Sequence, residues 1–487
     1  MQPSKDLFQL IKALNKAEKR HFKLVATQYA TNSNYVKLFD AIDKQVVYDE
    51  SKLKRKFRNE TFAKKLAATK YLLHELILKS MRGLYEGKSV DTSLRALLGS
   101  VEVLYNKGLY AQSRKVLNRA MKLADRYEKT FWAYDILKWR KRLFSYTAPG
   151  KLSKEMESLL EADHKATENL HNETTFVELM DKVNFLKISR LPKEKMVQQF
   201  QETLDHPLME CVDRALTFKA KVHFYLIKSS AEQVKGNVKG AFDILEEMIA
   251  FWNAYEDYIP SYATLYVQCM SEYLLCGFQI RSDFNYEQLL VRLQQVPQVV
   301  AEQSKKQTTV VQILDFIACI STDKLLDCDC QVNQLLDTLK ESERLLDYNW
   351  LITAYYYIGI YYFMKNNHDE ALTWLKKIEQ YSKLPMCSNI QEFCQLLELV
   401  AHYELENYTF VEYRLRTVYR QLKQRRQLNT IEKLLLKYIK KLIFTNDSAV
   451  TTGLFQQFQA QITSEQDSPQ IPPMGNRVIQ RWAVANC

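Results

Sequence analysis

Residues Tyr355 to Leu384 read YYYIGIYYFMKNNHDEALTWLKKIEQYSKL, and the spacing of the apolar residues in this stretch decides the fold class. Tyr355, Ile358, Gly359 and Tyr362 follow the three-and-four rhythm of one helix face. Five polar residues, Lys365-Asn366-Asn367-His368-Asp369, interrupt the pattern, and Ala371, Leu375 and Ile378 then resume it. The stretch therefore predicts two helices joined by a tight turn. Gly359 and Ala371, both small and 12 positions apart, mark where the helices approach closely, with aromatic rings filling the space around them.

Outward from this pair, the chain lacks the punctuation of strand-rich folds. Only 11 of 487 residues are Gly and 10 are Pro, about 2% each where roughly 7% and 5% are usual. Tight hairpins, phosphate-cradling loops and nucleophile elbows all need glycine at their corners, so sheets, barrels and most nucleotide sites are disfavoured. At the start, Ser4 is placed to cap a helix with the face Leu7, Leu10, Ile11 and Leu14. Asn15 and Glu18 form a capping-box pattern for a second helix through Phe22, Leu24 and Val25. A helix follows around Tyr35 to Val47, then a basic one near Lys52 to Phe57. Phe62, Leu66, Leu73, Leu76, Ile77, Met81 and Leu84 then trace a longer core-facing stripe. From about residue 91 helices alternate in pairs, separated by breaks at Asn106-Lys107-Gly108, Lys235-Gly236-Asn237, Asn366-Asn367 and Glu406-Asn407.

In residue type and spacing, Tyr355 to Leu384 resembles the tetratricopeptide repeat, a helix-turn-helix unit of about 34 residues. The proline expected near the end of the unit falls on Lys383, with Pro385 two residues late. Weaker copies align around Gly108, with Leu97, Val101, Leu104, Ser113, Leu117 and Ala120, and around Gly236, with Tyr225, Ala241, Leu245 and Met248. A further turn at Asn407 follows Tyr403, and Glu412 is aligned where a small residue is expected. The runs Phe8 to Leu14, Glu18 to Lys23, Leu38 to Asp43 and Tyr419 to Arg426 look like those of a group of bacterial helical-repeat proteins. The resemblance implies an all-α fold, a right-handed TPR-like solenoid of stacked antiparallel helix pairs. It implies no activity and transfers no catalytic residue. The expected organisation is a basic helical cap over residues 1–90, a divergent repeat array over 91–445, and an appendage over 446–487. In that appendage Ser468 to Pro473 form a loop before a last helix around Val478 to Val484.

The net charge of +11 is unevenly distributed. Residues 1–150 carry 31 Lys and Arg against 14 Asp and Glu, whereas 151–400 carry 25 against 36 and 401–450 carry 10 against 5. Such fields act over about a Debye length, ~8 Å at physiological salt, so the basic end and the acidic middle are expected either to attract different partners or to attract each other in a curved molecule. The nine cysteines all lie from Cys211 onward without framework spacing, which is the pattern of reduced thiols in a cytoplasmic protein. The start has no apolar signal-peptide core. Tyr348 to Met364 is uncharged but spans 17 residues and is rich in tyrosine, so it reads as a buried helix and not a membrane span.

Motifs that carry chemistry have ordinary readings here. Gly83 to Ser89 is one residue short of a phosphate loop, with Arg82 at the first glycine position and a helix before it where a strand is required. Cys328-Asp329-Cys330 lacks a second ligand pair for tetrahedral zinc unless Cys319 and Cys387 converge on it. His74-Glu75 has Leu78 where a zinc-protease motif places its second histidine, and His164 and His171 fit a polar helix surface. Cys269 with Cys276, and Cys387 with Cys394, are spaced as packing thiols. No catalytic, cofactor-binding or metal-binding residue is assigned, and no enzyme activity is expected. Two basic tracts remain. One includes Lys54, Arg55, Arg58, Lys64 and Lys65 near Phe57 and Phe62, and the other includes Arg420, Arg425 and Arg426. The expected function is a protein-interaction scaffold holding a partner's peptide or helix in the groove of the solenoid, aided by the 29 tyrosines. The alternative is a regulator that binds DNA or RNA through its basic N-terminal third.

Overall fold

The structure is a computed structural model that describes residues 5–29, 34–147, 152–189, 191, 193–280, 284–298, 301–321, 328–381, 388–425, 428, 430–445, 447–463 and 474–487. Among these residues the only regular elements are helices. They form two compact units, residues 1–163 and 164–487.

The first unit contains α1 (Asp6–Ala13), α2 (Lys16–Tyr29), α3 (Asn34–Asp43), α4 (Glu50–Lys56), α5 (Leu66–Tyr85), α6 (Val90–Asn106), α7 (Tyr110–Arg126) and α8 (Thr130–Thr147). Helix α9 (Leu152–Ile188) carries the boundary. The capping box read from sequence is present, since the Asn15 N–H donates to Glu18 Oε2 at 2.7 Å and the Glu18 N–H to Asn15 Oδ1 at 3.0 Å. Two cores result. Ile11, Phe22, Phe39, Ile42, Leu73 and Ile77 centre one, and Leu94, Val101, Leu117, Ala120 and Ile136 the other.

The second unit contains α10 (Lys193–Leu204), α11 (Phe218–Lys235), α12 (Val238–Ala254), α13 (Ala263–Ile280), α14 (Tyr286–Gln295), α15 (Ala301–Ser321), α16 (Asp329–Ser342), α17 (Tyr348–Met364), α18 (His368–Glu379), α19 (Ser388–Glu404), α20 (Tyr408–Arg425), α21 (Thr430–Leu442), α22 (Ser448–Thr463) and α23 (Gly475–Ala485). Most helices pack on the next in sequence, and α13, α15, α17 and α19 also touch the helix two places on. One core runs from Phe176 to Ala483. The last helix is anchored in it by Ile479 and Trp482, and the Trp482 Nε1–H donates to Glu404 at 2.6 Å. Ser4 and the run Ser468 to Pro473 lie outside the described residues.

The pair that opened the sequence reading is built as α17 and α18. A Cβ on Gly359 would stand 3.0 Å from Leu375 Cδ2 and 3.8 Å from the Ala371 carbonyl oxygen, so this is the tight crossing. Tyr355, Ile358, Ala371, Leu375 and Ile378 are buried around it. Its turn recurs along the chain. At Gly108, Glu128, Gly236, Asn366 and Glu406 the backbone has positive φ, between 46° and 91°, and closes the preceding helix. The following N–H, at Leu109, Lys129, Asn237, Asn367 and Asn407, reaches back five residues to a carbonyl, at 2.8–2.9 Å in every case. Four residues further on stand Ser113, Ala133, Ala241, Ala371 and Val411, each donating its N–H to the carbonyl of that same Leu, Lys or Asn. This register corrects the alignment at the fourth break. Val411, fully buried, takes the small-residue place, and Glu412 turns outward to pair with Arg416 at 3.1 Å.

Glu406 holds its left-handed conformation, φ 56°, without the freedom of a glycine. Glu406→Gly is expected to raise stability by about 0.5–1 kcal/mol, measured as a higher urea midpoint at an unchanged slope. A lower midpoint would show that the turn is not left-handed.

Candidate interaction surfaces

The N-terminal basic tract divides when its side chains are followed. The Lys54 ammonium is 3.0 Å from Glu50, which also holds Lys70 at 2.6 Å and accepts from the Tyr48 hydroxyl at 3.2 Å. Hydrogen bonds from Lys70 and then Lys54 lower the Glu50 carboxyl to about 2. Lys54 therefore pairs within α4, and it is the Glu50–Lys70 pair that joins α4 to α5. Arg55, Arg58, Lys64 and Lys65 are exposed and make no ion pair among the described residues. Lys54, Arg55 and Lys56 occupy the last turn of α4, where cations complement the helix dipole. In the second tract Arg420 is exposed on α20, Arg414 bridges Glu379 and Glu398, and Arg416 pairs with Glu412. Arg425 ends α20, but its side chain and Arg426 lie outside the described residues.

The other motifs resolve into packing. Ser89 caps α6, its hydroxyl accepting from the Thr92 N–H at 3.1 Å, while Gly87 turns the chain with φ 77°. The phosphate-loop look-alike is thus a helix end and the next helix's cap. Cys269, Cys276 and Cys394 are buried, and burial pushes their thiols well above the ordinary range. Cys319 and Cys328 depart from the expectation of reduced thiols. The packing of α15 on α16 brings their Cα atoms to 5.9 Å, and a disulfide joins them. Among the described residues no group of His, Cys, Asp and Glu is placed to hold a metal ion, and Cys387 lies outside them. No helix of the described residues is long and apolar enough to cross a membrane, and most of Tyr348–Met364 is buried, although Tyr348 at its start is half exposed.

A surface that the sequence reading did not single out lies on α6, α7 and α8. Tyr105 ends α6 and Tyr110 begins α7, so the turn at Gly108 brings their rings within 5.5 Å edge to face. From α8, Tyr146 stacks on Tyr110 at 4.1 Å with planes 18° apart, and Trp139 lies 5.6 Å from Tyr105. The Arg142 guanidinium covers Trp139 at 4.9 Å. A hydrogen bond with the Tyr146 hydroxyl raises the Tyr105 phenol above its ordinary range. Around this platform Tyr146 is 52% exposed, Leu109 43% and Val103 61%. Tyr, Trp and Arg form the composition of binding hot spots, because rigid rings give contact area at small entropy cost. The sequence signal was available in two tyrosines flanking a glycine turn and a third 36 residues after the second, at the same end of the following helix.

Comparison with known proteins gives no match to this chain from any family model, curated protein or solved structure.

Proposed function

We propose that the protein is a non-enzymatic, TPR-like interaction scaffold, its antiparallel helix pairs stacked as a right-handed solenoid, that binds a peptide or helix of a partner protein. The repeated turn, with a left-handed residue, an N–H reaching back five residues and a small or β-branched residue four places on, supports the repeat architecture. The observation that carries the binding role is the half-exposed platform of Tyr105, Tyr110 and Tyr146 beside the exposed Leu109. A monomer gains little from leaving stacked aromatics and a leucine in water at the end of a helix pair. A partner that covers them gains apolar burial and places the tyrosine hydroxyls against its backbone. The solenoid groove and the cytoplasmic location belong to the same proposal, the location resting on the free thiols of the remaining described cysteines and opposed by the Cys319–Cys328 disulfide.

The experiment is affinity capture with the full chain from its native cells, compared with Tyr110→Ala/Tyr146→Ala. A partner polypeptide is expected to bind the parent at least thirtyfold more tightly than the double variant, the loss typical of a hot spot worth 2 kcal/mol or more. Equal recovery on the two, with the variant still folded by circular dichroism, would remove the platform from the binding role.

A further inference from the structure

Helix α21 buries Ile431, Leu435, Leu436, Tyr438, Ile439 and Leu442 in the core of the second unit. Its exposed charged positions are Lys433, Lys437, Lys440 and Lys441. Spacings of four, three and one residues put these lysines on one face, in a row ~12 Å long at 1.5 Å per residue. None of the four makes an ion pair among the described residues. Lys437 and Lys441 lie 5.8 and 5.4 Å from the centre of the Tyr438 ring.

The carboxylates nearby are engaged elsewhere. Helix α21 packs against α19, α20 and α22. On α19, Glu392 is buried, Glu398 holds Arg414 at 2.9 Å, and Glu404 accepts from Trp482 and Asn486. On α20, Glu412 pairs with Arg416, and α22 carries no charged residue at all. Glu432 is buried, and Asp447 accepts from the Ala449 N–H at 2.9 Å. Like charges three and four residues apart weaken a helix, and no described carboxylate compensates this row. We propose that the lysine row of α21 binds the phosphodiester backbone of a nucleic acid, as a second interaction surface in addition to the aromatic platform.

The composition of the row selects this partner. Protein interfaces are depleted in lysine and built on aromatic and arginine anchors, whereas the four exposed charges here are all lysine and Tyr438 is buried. The apolar face of α21 is occupied by the core, so the helix has none to insert into a lipid surface. Lysine suits phosphate as a point charge, and ~12 Å spans three to four phosphates of one strand. The neighbouring α22 exposes Gln456, Gln457 and Gln461, side chains that donate to phosphate and sugar oxygens. Readout is of the backbone and not of the sequence.

The test uses the full chain with fluorescein-labelled random 24-base-pair DNA and 24-nucleotide RNA, followed by anisotropy from 50 to 200 mM salt. With about four phosphates neutralised, affinity for duplex is expected to fall about 150-fold across that range, and less steeply for single strands. Lys437→Glu/Lys441→Glu should weaken binding at least tenfold and flatten the salt dependence by about two contacts. Its thermal midpoint should equal or exceed that of the parent, because two like-charge clashes are removed. Arg58→Glu/Lys65→Glu in the first unit should leave binding unchanged. The proposal is overturned by no binding of either probe at 50 mM salt, by undiminished binding in the α21 variant, or by loss only in the first-unit variant. Binding to vesicles containing phosphatidylserine or to a polyglutamate peptide, with none to nucleic acid, overturns it equally.

Discussion

Trp252→Ala is expected to destabilise the second unit by about 4 kcal/mol, the range for removing a fully buried tryptophan. The side chain ends α12 and has no exposed surface. Its ring meets Phe218 of α11 at 4.8 Å and 83°, and Tyr266 of α13 at 5.1 Å and 74°. One side chain thus joins three successive helices, through two edge-to-face contacts each worth about 0.5–1.5 kcal/mol beyond the buried area. Phe218 in turn touches Phe251, Tyr255, Tyr258 and Tyr262, so the cavity has rigid walls and collapses poorly. Urea unfolding should show the midpoint lowered on the order of 1 M, with Trp252→Phe retaining more than half of the lost stability. A shift of a tenth of that size would mean that the three helices do not share this ring.

The second large effect is one of pH. His223 lies on α11 with its side chain buried, and its Nδ1 has no hydrogen-bond partner among the described residues. Burial, and then the charge of Lys219 one turn before it, lower the imidazole from 6.5 to about 4. Above pH 6.5 both folded and unfolded chains hold the ring neutral, and His223 adds no pH dependence. As pH falls from 6.5 toward 4 the unfolded chain takes up a proton that the folded chain refuses, so stability is lost on acidification. The full loss is about 3 kcal/mol, most of it reached by pH 4.5. The carboxylates titrate in the same window, so the measurement is a difference. Denaturant unfolding of the parent and His223→Gln at pH 7 and pH 4.5 should show the parent losing about 2.5 kcal/mol more. Parallel pH profiles would show that the ring is hydrated or partnered in the folded state.

The helix pair at Gly359 and Ala371 was readable because its packing is local, with small residues, an Asn-Asn turn and aromatics all within 30 positions. The capping box at Asn15 and Glu18 was readable for the same reason. The register at Val411 was misread by one residue. The turn is set by the hydrogen bond of Asn407 to the His402 carbonyl, and residue size alone does not reveal that. Lys54 pairs with Glu50 four residues before it, a local pair that the tract's composition hides, whereas the Glu50–Lys70 link between α4 and α5 spans 20 residues. The pairing of Cys319 with Cys328 depends on how α15 meets α16, which spacing leaves open. The tyrosine platform joins the ends of three helices, and the uncompensated row on α21 is defined by where its neighbours' carboxylates go. Both are properties of tertiary packing, and neither is carried by a motif.

The central claim, that this chain works by holding a protein segment at the α6–α8 platform, is tested most directly by site-specific photo-crosslinking in its native cells. A benzophenone amino acid placed at Leu109, within the platform, is compared with one at Val46, which is 90% exposed in the same unit. The account predicts a discrete polypeptide adduct from position 109 that is absent from position 46 and is lost when Tyr110→Ala and Tyr146→Ala are added. Identical adducts from both positions, or none from position 109, would contradict it.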